Sequence, residues 1–400
     1  MAGGLRPAVL YISYDGMLEP LGQSQVVSYL ERLSGEFEVH LVSFEKPADR
    51  EQADKVAAIA ARIEKAGIKW HPLTYHKTPT IPATLFDIVQ GTLLSVWLSL
   101  RHRISLIHAR SYVPALIGWI VKLLTGARLL FDMRGFWADE RADSGVWPAQ
   151  GKVYRTAKRI ENTLLLGSDH IVTLTHASNR ELTSLPVFKE KSVPPISVIP
   201  TCADLDRFQP ALSAGQPFIM GYVGSVGPRY LFDEVLRCFA LLRQQHSEAR
   251  LLVINQKEQD LVRQAAARVG IPSASIEVRS ADHNQIHRQV QRMTAAAAFY
   301  RPVYSTIACA PTKLAEYLGC GIPCLGNTGV GDMADILERE GCGVAITEFT
   351  AQERSRAIDR LLDLTRDQTT ALRCRETALR HFSVVDGAEQ YRAIYRSLTQ

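Results

Sequence analysis

The segment 309–327 carries polar residues at a spacing suited to binding a phosphate and a sugar. Pro311, Thr312 and Lys313 are expected to open a short helix, because proline is tolerated at the first helical position. The amides at that helix start would face outward, where the helix dipole favours an anion. Glu316 lies four residues after Thr312, so both share one face and Glu316 could accept hydrogen bonds from a sugar diol. An ordinary capped helix with a solvated Glu316 is the alternative.

Two further loops in the second half of the chain carry candidate ligands for the same anion. In GYVGSVG, the backbone of Gly224 and Ser225 is predicted to contact a phosphate or sugar. The glycine order is not GxGxxG, and the next strand ends in Asn255 instead of an acid, which disfavours NAD. Arg301 and Lys313 are predicted to neutralise a diphosphate, although either could be an ordinary exposed cation.

The first half of the chain carries a second group of polar candidates. In FDMRGFWADE, Arg134 offers a bidentate grip on a phosphate or carboxylate, with Asp132 beside it; a salt-bridged surface loop is the alternative. Gly22 permits close backbone approach at a helix start, so Gly22 and Gln23 are predicted to line a sugar or diphosphate loop, unless they form only a turn. His108 ends a strand and faces either a ligand or the core.

Strands and helices that alternate along the chain position these residues. Short apolar runs such as PAVLYIS, FEVHLVSF and ARLLVIN are each followed by helical sequence. This βαβ rhythm predicts two doubly wound α/β domains, at 1–210 and 211–386, with helix 387–400 crossing back to the first. Two such domains facing one another would form a cleft lined by the carboxyl ends of strands, where ligands bind.

The composition describes an ordinary soluble chain. Of 400 residues, 46% are hydrophobic, and 46 Lys and Arg against 41 acids leave a net charge of +5. This mild excess suits anionic small ligands or an anionic membrane surface and does not require nucleic acid, so no nucleic acid partner is expected. Seven scattered cysteines, no signal-peptide layout and no run of about 18 uninterrupted apolar residues predict a cytoplasmic location without a transmembrane span.

Four motifs together resemble the retaining glycosyltransferases of family 4, which have the GT-B fold. They are PLGQSQV, VIPTCADLDRF, YVGSVG and PTKLAEYLGCGIPCLGNTGVGD, and they are spread over nearly the whole chain. The last motif is the most specific. In that family its Glu position contacts the nucleotide ribose and the helix-start amides bind the donor diphosphate, which carries over to Glu316 and residues 311–313.

This sequence departs from the family pattern at three places. A second family Glu, eight residues before Glu316, is replaced by Ala308. The family's Arg and Lys pair, after the first strand of the second domain, is represented by Arg229 alone. A pocket His of the first domain is replaced near Arg134. The resemblance therefore supports nucleotide binding more directly than recognition of the donor sugar.

The resemblance implies a hexosyltransferase-like enzyme that moves a sugar, with retention, from a UDP- or GDP-type nucleotide sugar. The first domain (1–210) would bind the acceptor, a glycan or polyprenyl-linked glycan in surface-polysaccharide synthesis, and the second (211–386) would bind the nucleotide-sugar donor. Arg134, Arg301 and Lys313 are expected to be catalytic, because charge develops on the leaving diphosphate. Neither a metal nor a cofactor is expected. Two alternatives stay open: a nucleotide-sugar binding protein without turnover, and a non-transferring GT-B enzyme such as a nucleotide-sugar 2-epimerase.

Residues 81–103 form an apolar helical segment with more than one hydrophobic face. One expectation is a core helix buried between the sheet and its neighbours. The other is a peripheral contact with the inner face of a membrane, made together with a neighbouring basic helix. That basic helix would carry Lys152, Arg155, Lys158 and Arg159.

Overall fold

A computed structural model describes residues 6–189, 191–211, 217–282 and 285–400 of the chain. The chain divides into two compact units, the first made of Met1–Ile199 with Val384–Gln400 and the second of Pro200–Ser383. The division thus falls before the predicted boundary at residue 210, and the returning segment starts before residue 387. The reason is visible in the backbone, because Ile199 N bonds to Thr173 O (2.9 Å) in the first unit and Ala203 N bonds to Phe382 O (2.9 Å) in the second.

The first unit is built on a seven-stranded sheet in which all strands are parallel, in the order β3-β2-β1-β4-β5-β6-β7. The strands are β1 (Ala8–Ser13), β2 (Glu38–Glu45), β3 (Lys69–Thr74), β4 (Leu106–Arg110), β5 (Arg128–Asp132), β6 (His170–Thr173) and β7 (Ile196–Val198). Central strands such as β1 and β4 are buried along their whole length, as expected for a parallel sheet covered by helices on both faces.

Helices of the first unit connect these strands and cover the sheet. They are α1 (Pro20–Gly22), α2 (Ser28–Leu33), α3 (Pro47–Arg50), α4 (Ala53–Lys65), α5 (Thr80–His102), α6 (Tyr112–Thr125), α7 (Trp137–Asp143), α8 (Lys152–Gly167), α9 (His176–Thr183) and, from the end of the chain, α17 (Val384–Thr399). A π-helical segment, Gln23–Val27, joins α1 to α2, and a 3₁₀ turn covers Pro186–Phe188.

The second unit contains a six-stranded parallel sheet in the order β10-β9-β8-β11-β12-β13. Its strands are β8 (Ile219–Val223), β9 (Arg250–Ile254), β10 (Ile276–Arg279), β11 (Ala295–Ala298), β12 (Cys324–Asn327) and β13 (Gly343–Ile346). Its helices are α10 (Phe232–Gln245), α11 (Gln259–Val269), α12 (Ile286–Val290), α13 (Thr312–Gly319), α14 (Met333–Arg339), α15 (Ala351–Arg366) and α16 (Thr370–Phe382), with 3₁₀ turns at Ser273–Ser275 and Tyr304–Ala308. Buried apolar side chains on both faces of this sheet form its core.

The prediction of two doubly wound α/β units is confirmed. Two strands, β3 and β7, were not predicted, and both are edge strands. Pro72 interrupts the apolar pattern of β3, which is tolerated because an edge strand need not donate every backbone hydrogen bond. β7 is only three residues long and has no fully buried position, so its sequence carries little strand signal.

Strand order reverses once in each sheet, between β1 and β4 in the first unit and between β8 and β11 in the second. Such reversal points are where ligands bind in open α/β sheets, at the carboxyl ends of the strands. Both of the polar groups described next lie at these points.

Candidate functional site

Helix α13 of the second unit places Lys313 inside the protein. The helix starts at Thr312, one residue later than predicted, and Pro311 precedes it in an extended conformation (φ −67°, ψ 119°). Lys313 is the second helical residue, and only 8% of its surface is exposed. A lysine this deep usually has a carboxylate or several hydrogen-bond acceptors around it, because burying an unpaired charge is costly.

Tyrosine rings take the place of a carboxylate around Lys313. Its Nζ atom lies 4.4 Å from the ring centre of Tyr222, 4.8 Å from that of Tyr230 and 5.4 Å from that of Tyr300. These cation–π contacts stabilise an ammonium group without neutralising it. Within the described part of the chain, Nζ has no hydrogen-bond partner. Burial lowers the pKa of Lys313 to about 8, so the amine still carries most of its charge at pH 7.

The loop after β8 approaches this ammonium group through Gly224. Its φ of +119° strongly favours glycine, and a Cβ there would lie 3.0 Å from Lys313 Nζ. Asn255 Nδ2 donates to Gly224 O (3.0 Å), and Glu258 accepts hydrogen bonds from Val226 N (2.9 Å) and from Asn255 Nδ2 (3.1 Å). Asn255, where a dinucleotide site would need an acid, therefore holds the glycine loop in place.

Ser225 is engaged within the same loop. Its carbonyl accepts a hydrogen bond from Tyr222 Oη (2.5 Å), and its Oγ accepts one from Gly227 N (3.2 Å). A hydrogen bond with the Ser225 hydroxyl is the main cause that lowers the pKa of the Glu258 carboxyl group. The predicted backbone ligands Gly224 and Ser225 thus belong to a loop whose shape is fixed by its own hydrogen bonds.

Glu316 lies one turn after Lys313 on α13. It is half-buried, and burial raises the pKa of its carboxyl group to about 7 although Lys313 and Arg207 act to lower it. Thr312 and Glu316 share a helix face, as predicted from their spacing. The influence of Arg207 was not anticipated, although Arg207 belongs to the quoted motif VIPTCADLDRF.

Arg301 and Lys313, predicted to act together, differ in their surroundings. Arg301 is exposed, and its backbone N donates to Arg229 O (3.0 Å), which pairs the loops that follow β11 and β8. Ala308, where the family often has a glutamate, is buried in the 3₁₀ turn before α13. Lys313 is therefore the buried cation at this reversal point.

Asp132 is the centre of the polar group in the first unit. It is 1% exposed, and its carboxylate lies 3.7 Å from Arg134 Nη1, 3.9 Å from Arg110 Nη1 and 3.6 Å from His108 Nε2. Burial acts to raise the pKa of Asp132, but Arg134, His108 and Arg110 hold it below its ordinary value. Arg134 occupies the left-handed region (φ +59°), which is uncommon for a residue other than glycine.

Helix α17 supplies two tyrosines to this group. Tyr395 Oη lies 2.7 Å from His108 Nδ1, and Tyr391 Oη donates to Asp132 (3.1 Å). The His108 ring also packs 4.2 Å from that of Tyr11. Burial lowers the pKa of His108, so its imidazole is neutral at pH 7. Of the two positions predicted for His108, the structure gives the buried one, beside Asp132.

Several atoms of the first-unit group are buried but lack hydrogen-bond partners within the described ranges. They are His108 Nε2, Arg110 Nε and Nη1, and Asp132 Oδ1. Their charges are matched at 3.4–3.9 Å, since Arg110 also faces Asp15 at 3.4 Å, yet these distances exceed ordinary hydrogen bonds. The group is therefore electrostatically balanced and still able to accept and donate hydrogen bonds.

Gly22 and Gln23 lie where α1 meets the π-helical segment. A Cβ at Gly22 would stand 2.1 Å from Gly16 O, so the close backbone approach predicted there is made by the chain itself. The Gln23 carbonyl accepts a hydrogen bond from Ser28 Oγ (2.9 Å), and its side chain is half-buried. A ligand contact at these two residues stays a prediction.

Sequence reasoning missed the side chains that surround the predicted ones. Arg110, Tyr391 and Tyr395 complete the first group, and Tyr222, Tyr230 and Tyr300 complete the second. The sequence could have predicted Arg110, because a charged residue at the end of an apolar strand indicates the carboxyl edge of a parallel sheet, where ligands bind.

Comparison with known protein families assigns both halves of the chain. Residues 23–196 match the family model described as a glycosyl transferase 4-like domain. Residues 205–380 match the model described as glycosyl transferases group 1. No curated protein matches the chain.

Solved structures of low sequence identity share the fold over nearly the full chain. Sucrose-phosphate synthase from Thermosynechococcus elongatus superposes with a TM-score of 0.74 at 15% identity, covering 98% of this chain and 99% of its own. Anabaena Alr3699/HepE in complex with UDP gives 0.70 at 16% identity, covering 98% and 100%. A glycosyltransferase from Rickettsia africae gives 0.71 at 13% identity, covering 99% and 100%. The predicted GT-B fold is confirmed.

Proposed function

We propose that this chain, whose units carry a glycosyl transferase 4-like and a glycosyl transferases group 1 domain, is a glycosyltransferase that transfers a sugar from a nucleoside diphosphate with retention of configuration. The observation that carries the proposal is Lys313. Its ammonium group is buried, nearly fully charged at pH 7 and without a hydrogen-bond partner in the described residues. A diphosphate would supply the missing anion.

The chemistry of the donor explains why a cation is useful there. The bond that breaks joins the anomeric carbon to a phosphate oxygen, and negative charge grows on the departing diphosphate. The Lys313 side chain and the backbone N–H groups of Thr312 and Lys313 would stabilise that charge, which lowers the barrier without a metal or a cofactor. Glu316 would accept hydrogen bonds from the ribose hydroxyls. A UDP-type donor is favoured because HepE, which shares the fold, was crystallised with UDP; a GDP-type donor is the alternative proposed.

The first-unit group suits sugar hydroxyls. A hydroxyl both donates and accepts, and the unpartnered atoms of His108, Arg110 and Asp132 include donors and acceptors. We assign to Arg134 and Asp132 the contact with the transferred sugar or its acceptor. The acceptor proposed is a glycan or a polyprenyl-linked glycan used in surface-polysaccharide synthesis.

The experiment is a donor screen with product analysis. The full-length protein is incubated with UDP- and GDP-sugars and a polyprenyl-linked glycan, and the anomeric configuration of the product is read by NMR. A product with the donor's configuration supports the proposal, and an inverted product contradicts retention. Saturable donor binding without nucleotide release would instead identify a binding protein, and a donor converted to its epimer would identify an epimerase.

Helix α5 offers a surface for a membrane-bound acceptor. Among the described helices, α5 is the one long and apolar enough to cross a membrane, but only 33% of its apolar stretch is buried. Its inner side is fixed to the first unit, since Asp87 accepts from Tyr14 Oη (2.8 Å) and a Cβ at Gly91 would lie 2.9 Å from Phe44 and Ile117. The outer side carries Ile81, Leu85, Phe86, Val89, Leu93, Trp97 and Leu100, each 55–69% exposed.

The expectation of a core helix buried between the sheet and its neighbours is therefore wrong, and the exposed stripe fits a helix lying in the plane of a membrane surface. α5 packs on α6, and α6 packs on α8, the predicted basic helix. Lys152, Arg155 and Arg159 are exposed there. Lys158 is not available, because it pairs with Asp139 (2.9 Å) and with Glu161.

Co-sedimentation with vesicles tests this membrane contact. Binding should rise with anionic lipid and fall with salt, each exposed cation contributing about 1 kcal/mol at the surface. Leu93→Glu should abolish binding, whereas Leu261→Glu, at a 52% exposed leucine of the second unit, should not. Protein that stays in the supernatant at low salt with anionic vesicles would leave a soluble acceptor as the proposal.

A further inference from the structure

A histidine cluster lies at the opposite edge of the first sheet from the groups described above. It consists of His40 on β2, His71 on β3, His102 at the end of α5, and Glu38, the first residue of β2. Asp132 and Arg110 end their strands, whereas Glu38 begins its strand, so the cluster is at the amino edge of the sheet. Nothing in the proposed transfer reaction uses these residues.

Three atoms of the cluster converge at the spacing of metal ligands. Glu38 Oε1 lies 3.2 Å from His40 Nε2 and 3.9 Å from His102 Nδ1, and the three ligand atoms lie within 4.8 Å of one another. Ligands about 2.0–2.2 Å from a tetrahedral zinc ion stand roughly 3.3 Å apart, so small side-chain shifts would complete the site. Two imidazoles and a carboxylate form a ligand set that zinc and its neighbours in the first transition row accept.

His71 fixes the orientation of His40. His71 Nε2 lies 3.2 Å from His40 Nδ1, so His40 can place its proton on Nδ1 when a metal replaces the contact between its Nε2 and Glu38. Histidines that bind metals almost always use their second nitrogen in this way.

Lys69 opposes metal binding. Its Nζ donates to the same Glu38 oxygen (2.5 Å), and its side chain is 49% exposed. An exposed lysine can rotate into water at little cost, so an arriving dication would displace it from the carboxylate. The cluster is therefore a site in which an internal cation competes with a metal.

We propose that Glu38, His40 and His102 bind one divalent transition metal of the zinc type, with His71 orienting His40 and a water completing the tetrahedron. The metal would tie the end of α5, the helix with the exposed apolar stripe, to the start of β2. Its role would be to stabilise this edge of the first unit. The inference does not depend on the proposed transferase activity.

The test is metal binding to the full-length protein, freed of any affinity tag and stripped with chelator. Zn²⁺ is titrated by calorimetry and Co²⁺ by its visible absorption, which is intense only in tetrahedral sites. One equivalent of each should bind to the wild type, and Zn²⁺ should raise its melting temperature. His102→Gln and Glu38→Gln should lose both the cobalt spectrum and the thermal shift.

Two further variants separate this site from chance binding to surface histidines. Lys69→Met should bind Zn²⁺ more tightly, because the competing cation is gone, and His71→Phe should bind it about 10–100-fold more weakly. His381→Ala is the control, since His381 also faces a glutamate, Glu340 at 3.2 Å, but without other histidines. Its binding should equal that of the wild type.

The proposal is overturned if the wild type takes up no stoichiometric metal. It is also overturned if Glu38→Gln and His102→Gln, shown to be folded by circular dichroism, bind metal as the wild type does. Failure of the transferase assay would leave this result untouched, because metal uptake is measured without substrate.

Discussion

The buried charged groups at the two sheet-reversal points, Asp132 and Lys313, have opposite kinds of surroundings. In the first unit, the carboxylates of Asp132 and Asp15 face the guanidinium groups of Arg134 and Arg110, so positive and negative charges balance one another. In the second unit, Lys313 meets three tyrosine rings and no carboxylate within 4.0 Å among the described residues. The charges around Asp132 are neutralised by protein groups, whereas the charge of Lys313 can be neutralised by an anionic ligand.

Because of this difference, the Asp132 group is suited to holding its own residues in place, and Lys313 is suited to binding an anionic ligand. A group that is already balanced keeps its geometry whether or not a ligand is present, and it gains little from further charge. An ammonium group held by ring faces alone gains a full ion pair when a phosphate arrives. Changing a charge should therefore cost stability in the first unit and ligand binding in the second.

The largest effect is expected from Asp132→Asn. The amide keeps the shape but removes the buried negative charge that faces Arg134 and Arg110, which should cost about 3–5 kcal/mol of stability. All five tryptophans lie between residues 70 and 147, so their fluorescence during denaturant unfolding reports the first unit alone. Glu64→Gln, at an exposed position of the same unit, is the control and should change stability by less than about 0.5 kcal/mol. Equal stability of the two variants would contradict the charge balance described for Asp132.

A smaller loss, of turnover and not of stability, is expected from Lys313→Met. Removing a group that stabilises the leaving diphosphate should lower kcat about 100–1,000-fold. Unfolding stability should stay the same or rise, because an uncompensated buried charge disappears. The other lysine of this unit, Lys257, is exposed, and Lys257→Met should behave as the wild type. A Lys313→Met protein that is less stable and equally active would reverse the comparison.

Glu316→Ala should weaken nucleotide binding by about 1.5–3 kcal/mol, the range of a hydrogen bond to a charged group. The fold should be unaffected, because Glu316 is half-buried and no hydrogen bond ties it to another described side chain. Calorimetry with UDP and GDP measures the effect, and Glu376→Ala, at an exposed residue of the same unit, is the reference. Unchanged affinity would remove Glu316 from the site.

The smallest effect is a dependence of donor binding on pH. Glu316, with its pKa raised to about 7, loses its charge as the pH falls below that value. Lys313, with its pKa lowered to about 8, loses its charge as the pH rises above that value. Affinity for a nucleotide sugar should therefore peak between about pH 7 and 8. Glu316→Gln should remove the decline on the acid side only; a flat profile in the wild type would show that neither group contacts the donor.

Much of this architecture was predictable because it depends on local patterns. Alternating apolar strands and helices predicted both sheets, and the spacing of Thr312, Lys313 and Glu316 predicted one helix face. These features follow from periods of two and 3.6 residues, which a short window of sequence contains. The helix start at Pro311 was displaced by a single residue.

The remaining features depend on contacts between distant parts of the chain. Tyr222 and Tyr300 are 78 positions apart in the numbering and meet only because β8 and β11 are neighbours in the sheet. His108 and Tyr395 are separated by 287 positions. No local pattern distinguishes these tyrosines from ordinary core residues, so the partners of Lys313 and His108 could be recognised only in the folded chain.

The return of α17 to the first unit bears on how the protein emerges from the ribosome. Residues 200–383 form a continuous unit that can fold as soon as they have left the exit tunnel. The first unit, although most of it is synthesised earlier, lacks Tyr391 and Tyr395 until α17 has also left the tunnel. During that time, His108 would lack its contact with Tyr395, and Asp132 would lack its hydrogen bond from Tyr391. The first unit, whose synthesis begins earlier, is therefore the later of the two to have all of these residues outside the ribosome.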